Sequence, residues 1–105
     1  MPTLDDLQER GLEIARLYDE LNLAERGRTW TPEETMMGFV GDVGDLAKLV
    51  MAAEGARSDV GGREELAHEL SDCLWSVLML AAHYDIDLSA AYTRTMDDLS
   101  ARLGG

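Results

Sequence analysis

Apolar residues recur at three- and four-residue steps in four segments of the chain, and nowhere does apolar and polar alternation last long enough for a strand. The pattern therefore predicts an all-α protein. Leu4, Leu7, Ile14, Leu17, Tyr18 and Leu21 mark a first helix from about Thr3 to Glu25, with Thr3 and Asp6 spaced as a capping box and Gly27 as its stop. A second helix is announced by Thr31-Pro32-Glu33-Glu34: Thr31 caps, Pro32 suits the first helical position and Glu34 closes the box. It runs to about Glu54, where Gly55 ends it. A third helix is expected from about Arg63 to Tyr84, and a fourth, capped by Asp87, from Leu88 to about Leu103. Between the second and third, Gly55 to Gly62 reads as a polar connection long enough to be mobile. No repeat or linker divides the chain, so one domain is expected over residues 1–105.

Charge narrows what such a domain does. Nine Lys and Arg stand against 21 Asp and Glu, a formal net charge of -12, which repels phosphate backbones and anionic lipid and argues against a nucleic-acid polymer or a membrane surface as partner. The most apolar stretch, Cys73 to Tyr84, is broken by Ser76 and His83 and bounded by Asp72 and Asp85, well short of the ~20 residues of a membrane helix. The N-terminus carries neither the basic start nor the apolar core of a signal peptide. The single cysteine, Cys73, lies among Leu70, Leu74 and Val77 and reads as a small buried hydrophobe. These features fit a cytoplasmic protein in a reducing compartment.

The chemistry is in the acids of the second and third helices. Asp42 and Asp45 are three residues apart and share one side of their helix, in a segment where Lys48 is the only nearby base. Met36, Phe39, Val40, Val43, Leu46, Ala47 and Val50 form the broad apolar face around them. Glu69 and Asp72 repeat the spacing on the third helix, beside a face of Leu66, Leu70, Cys73, Leu74, Val77 and Ala81. Taken singly, each pair is also what a solvated acidic strip looks like. If both face one groove, four carboxylates without cationic partners raise each other's pKa or hold a divalent cation. Oxygen-only ligands favour Mg²⁺, with Mn²⁺ as the alternative, over zinc or copper.

At these residues the sequence resembles the MazG-type nucleoside triphosphate pyrophosphohydrolases, all-α enzymes with the signature Glu-x-x-Glu, a spacer, then Glu-x-x-Asp. Val40-Gly41-Asp42-Val43-Gly44-Asp45-Leu46-Ala47 matches the first half and Glu69-Leu70-Ser71-Asp72-Cys73-Leu74 the second, with 23 residues between Asp45 and Glu69. The match continues through Asp87-Leu88 to Arg102 and is most similar to the short dCTPase-like branch. The resemblance implies a four-helix bundle completed by oligomerisation, as a homodimer or homotetramer. It also implies hydrolysis of a nucleoside triphosphate to the monophosphate and pyrophosphate, a nucleotide-pool house-cleaning reaction. Mg²⁺ would be held by Asp42, Asp45, Glu69 and Asp72, with Glu69 and Asp72 as the catalytic pair.

The sequence departs from the family pattern in two places. Both Glu of the first half are Asp, one methylene shorter, which calls for closer helix packing; Gly38, Gly41 and Gly44 are the residues that would permit it. On the fourth helix, Thr95 and Leu99 stand where the family often has Lys and Asn, so Arg94 or Arg102 is the expected source of positive charge for phosphate. Trp30 precedes the cap Thr31 but meets polar Thr35 where a staple partner belongs, which leaves its ring either to stack on a base or to cover the end of the bundle. Trp75, Met79 and Ala82 on the rear of the third helix add apolar surface for packing or a subunit contact. The alternative function is a non-catalytic helical oligomer that kept the fold. A di-iron bundle needs Glu-x-x-His twice, and only Glu65-x-x-His68 occurs.

Overall fold

The two capping boxes form as the sequence dictates. In the computed structural model, which describes residues 1–55 and 62–105, Thr3 and Asp6 exchange side-chain to backbone hydrogen bonds at the start of α1, Leu4–Arg26. Thr31 and Glu34 do the same for α2, Pro32–Ala53. Gly27 closes α1 in the left-handed region at φ 73°, where a side chain would be strained. α3 spans Arg63–His83, and α4, Leu88–Arg102, is capped by Asp87, whose carboxylate accepts from the Ala90 amide. The expected ends hold to within a residue. The interior of the Gly55 to Gly62 connection lies outside the described residues.

Glu34 carries more than its cap. Arg28 donates to both its carboxylate oxygens, at 2.7 and 2.8 Å, and this hydrogen-bonded guanidinium, ahead of the Thr31 amide, lowers the Glu34 pKa from 4.5 to about 2. A depressed carboxylate pKa stabilises the folded chain above the unfolded value, and that contribution is lost as pH falls through the folded one. Glu34→Gln is therefore expected to melt a few degrees below wild type at pH 7, with the gap closing between about 4.5 and about 2. Thermal melts across that range check it; a gap that stays constant with pH would assign the loss to the cap alone.

α2 and α3 pack antiparallel along a seam of Thr35, Phe39, Asp42, Leu46 and Leu49 against Leu66, Glu69, Cys73, Ser76 and Leu80. The spacing is that of two helices meshing, but the seam is rotated from the sequence expectation. Leu70 and Leu74, read as core, are 52% and 41% exposed, and Met36, Val40, Val43 and Val50 are also exposed. Two carboxylates and a serine take seam positions that apolar side chains were expected to fill. The displaced apolar residues form a stripe on the opposite face of the α2–α3 pair.

α1 lies against the rear of α3. Trp75 Nε1 donates to the Gly11 carbonyl at 3.1 Å, and the Gln8 amide donates to the Leu78 carbonyl at 2.9 Å. Gly11 suits this approach: a Cβ there would stand 2.9 Å from Met79 Cε and 3.1 Å from Trp75 Cδ1, so both side chains would have to shift. The rear of α3 is thus covered within the chain, which corrects its assignment as surplus apolar surface. α1 itself turns Leu4, Gln8, Gly11, Ala15 and Asn22 inward, while Leu7, Leu17 and Leu21 of the expected apolar stripe stay exposed. Nor do Gly38, Gly41 and Gly44 serve close helix approach, since a Cβ on any of them meets open space.

α4 touches the other helices only sparsely and carries exposed Tyr92, Met96, Leu99 and Leu103. The radius of gyration, 16.6 Å, exceeds the about 13 Å of a closed domain of this length. Among the described residues, the buried apolar side chains are Cys73, Leu78 and Ala81. No helix among them is long and apolar enough to cross a membrane.

Candidate metal centre

Asp42 faces α3 because it occupies the seam position between Phe39 and Leu46, and Glu69 faces α2 for the same reason between Leu66 and Cys73. Asp72, one turn on from Glu69, completes a group of three carboxylates that each bring an oxygen within 4.8 Å of the others. All three are partly enclosed. The fourth predicted ligand, Asp45, is exposed and lies outside this group, about 60° around α2 from Asp42. Its charge still reaches the site. Partial burial first, then Asp42, Asp72 and Asp45, raise the Glu69 pKa above its ordinary value. The pKa of the Cys73 thiol beneath is raised as well, by burial first and then by Asp42, Glu69 and Asp72, which disfavours the reactive thiolate.

No lysine or arginine pairs with Asp42, Glu69 or Asp72 among the described residues; His68 Nε2 lies 3.3 Å from Asp72. A donor set of oxygens alone, converging from two helices, fits a hard divalent cation.

The acids open into a cleft of about 970 Å³, a size suited to a nucleotide. Trp30 lines it and stacks on Tyr18, with ring centroids 5.6 Å apart and planes 21° apart, and Trp75 meets Tyr18 edge-on at 6.0 Å. One face of Trp30 is thus used by Tyr18, yet the residue remains 42% exposed. A smaller cleft of about 380 Å³, lined by Asp45, Lys48 and Glu69 among others, adjoins the acids on their other side. Arg94 and Arg102 are exposed on α4 and line neither cleft.

Several cleft residues were not singled out by the sequence. Tyr18 read as part of an apolar stripe, Trp75 as packing or a subunit contact, and His68 only as half of a Glu-x-x-His that occurs once. The i, i+4 spacing of His68 and Asp72 was the one local signal available. Tyr18 and Trp75 become cleft walls only through the packing of α1 on α3.

An all-α chain whose two antiparallel central helices bring carboxylates together beside an aromatic cleft belongs to the class of helical proteins built around an acidic, cation-ready groove. The family model of the MazG nucleotide pyrophosphohydrolase domain matches residues 30–103. The chain belongs to that family. No curated protein matches the sequence.

Proposed function

We propose that the chain hydrolyses a nucleoside or deoxynucleoside triphosphate between its α and β phosphates, releasing the monophosphate and pyrophosphate, with Mg²⁺ as cofactor and Mn²⁺ as a substitute. The observation that carries this reading is the convergence of Asp42, Glu69 and Asp72, from both half-motifs, at the edge of the aromatic cleft. Those three would hold the ion, with Asp45 beside them. When bound, it supplies neutralisation of phosphate charge and makes water a better nucleophile.

The chain's own groups do the rest. Trp30 offers its free ring area to the base, setting the α phosphorus toward the acids. Glu69 accepts the proton released as water attacks that phosphorus, and the bond to the bridging oxygen breaks so that pyrophosphate leaves. His68, beside Asp72, helps keep that carboxylate aimed into the cleft. Such an enzyme meets its substrate in the cytoplasm. The apolar stripe on the far side of the α2–α3 pair, Met36, Val40, Val43, Leu70 and Leu74, supports assembly as a homodimer or homotetramer.

A panel of the common NTPs and dNTPs with Mg²⁺ or Mn²⁺, reading pyrophosphate and orthophosphate separately, tests the reaction. Pyrophosphate is expected from at least one. Orthophosphate alone would overturn the assigned bond. Metal binding without turnover on any nucleotide would favour the non-catalytic reading, for which the distance of Arg94 and Arg102 from the clefts is the supporting observation.

A further inference from the structure

We propose that the smaller cleft takes the β and γ phosphates of the substrate and that Lys48, on its wall and one side of the acid group, holds them. The proposal rests on the triphosphate reading above and gives the substrate a direction along the groove.

Asp45, Lys48, Leu49, Glu65, His68 and Glu69 line the smaller cleft. His68 also lines the larger one, as do Asp42 and Asp72, so the acids stand where the two spaces meet. Tyr18, Trp30 and Trp75 line the larger cleft and a third cleft of about 440 Å³, and none of them lines the smaller one. A nucleotide whose base lies at Trp30 in the larger cleft and whose α phosphate reaches the acids can extend its tail past them into the smaller cleft. Lys48 is the only lysine or arginine that lines either cleft among the described residues.

Helix geometry brings it within reach. Lys48 is one turn on from Asp45, beside which it lines the smaller cleft, and from Asp42 it is about 9 Å along the α2 axis and about 120° around it. Its Cα–Cβ bond tilts toward the helix N-terminus, back toward Asp45 and Asp42. The flexible four-carbon stem covers the remaining separation and presents an ammonium with three donors to phosphate oxygens. This supplies the positive charge that the sequence assigned to α4, where Arg94 and Arg102 line neither cleft. Asp45 and Glu65 on the same walls repel a bare anion, so the tail must enter with its charge partly neutralised by a divalent cation.

Calorimetric titration of the full chain separates the elements. Mn²⁺ is titrated alone, then inorganic pyrophosphate and the four deoxynucleoside monophosphates are each titrated at saturating Mn²⁺. Lys48→Ala is expected to weaken pyrophosphate by about tenfold, the worth of one charge-assisted hydrogen bond. Mn²⁺ and monophosphate affinity should stay unchanged, and Lys48→Arg should recover most of the loss. Equal pyrophosphate affinity in wild type and Lys48→Ala, or a matching loss for the monophosphates, would overturn the subsite while leaving the reaction intact. A wild type that binds Mn²⁺ but no pyrophosphate would overturn it too. A wild type that binds no Mn²⁺ would bring down the metal centre itself.

Discussion

Glu69→Gln is expected to lower turnover by about 100-fold or more, the usual cost of losing a general base or metal ligand, without unfolding the chain. The substitution keeps the length of the side chain and removes its charge. The metal-free protein should give the opposite sign. Partial burial and the neighbouring Asp42, Asp72 and Asp45 hold the Glu69 pKa above its ordinary value, so its ionised form costs the folded state stability at pH values above that raised pKa. The penalty fades as pH falls through it. Glu69→Gln without metal should therefore melt at or above the wild-type temperature near neutral pH, with the difference shrinking in acid. Mg²⁺ or Mn²⁺ should raise the melting temperature of wild type and much less that of the variant, because a cation bound only by the folded state stabilises it by mass action. Melts with and without metal, beside single-turnover assays, decide the matter; Glu13→Gln on α1 is the control. A variant that loses activity and also melts far below wild type without metal would assign Glu69 a structural role instead.

The melting temperature of the wild type is expected to rise with protein concentration, and Leu74→Glu should abolish that rise. Among the described residues the chain buries Cys73, Leu78 and Ala81 and leaves Met36, Val40, Val43, Leu70 and Leu74 exposed, so it has little core there, and association over that stripe would stabilise the folded chain. Burying a carboxylate in such a contact costs several kcal/mol. Light scattering should give wild type at least twice the mass of one chain and the variant a single chain or an unfolded one. A monomeric wild type with concentration-independent melting would show that the stripe is simply exposed.

What could be read in advance follows from how local each cause is. Thr3 with Asp6, Thr31 with Glu34, Asp87 and Gly27 act within a few residues of themselves, so the helix ends that they set were legible. The spacing of Asp42, Glu69 and Asp72 was legible too, because three-residue steps fix which side of one helix a pair shares. The rotation of one helix against another was not. Leu70 and Leu74 are more apolar than Glu69 and Ser76, and an argument from hydrophobicity turns them inward. The chain instead sets the acid and the serine on the seam. That rotation also separates Asp45 from the other three acids, since about 60° on the circumference suffices to take a short side chain out of a three-oxygen group. Trp75 was ambiguous because its partner, Gly11, has no side chain to announce the contact.

Placing Asp42 and Glu69 on the seam means that, under the proposed metal reading, the contacts that hold α2 to α3 would also hold the cation. Without it, like charges press the two central helices apart at their middle. Opening of that pair is what a protease samples, at a rate set by how often the open form occurs. Under the proposed metal reading, a cell short of divalent cation would lose the protein as well as its activity. Abundance and catalytic competence would fall together, with no separate sensor of metal supply.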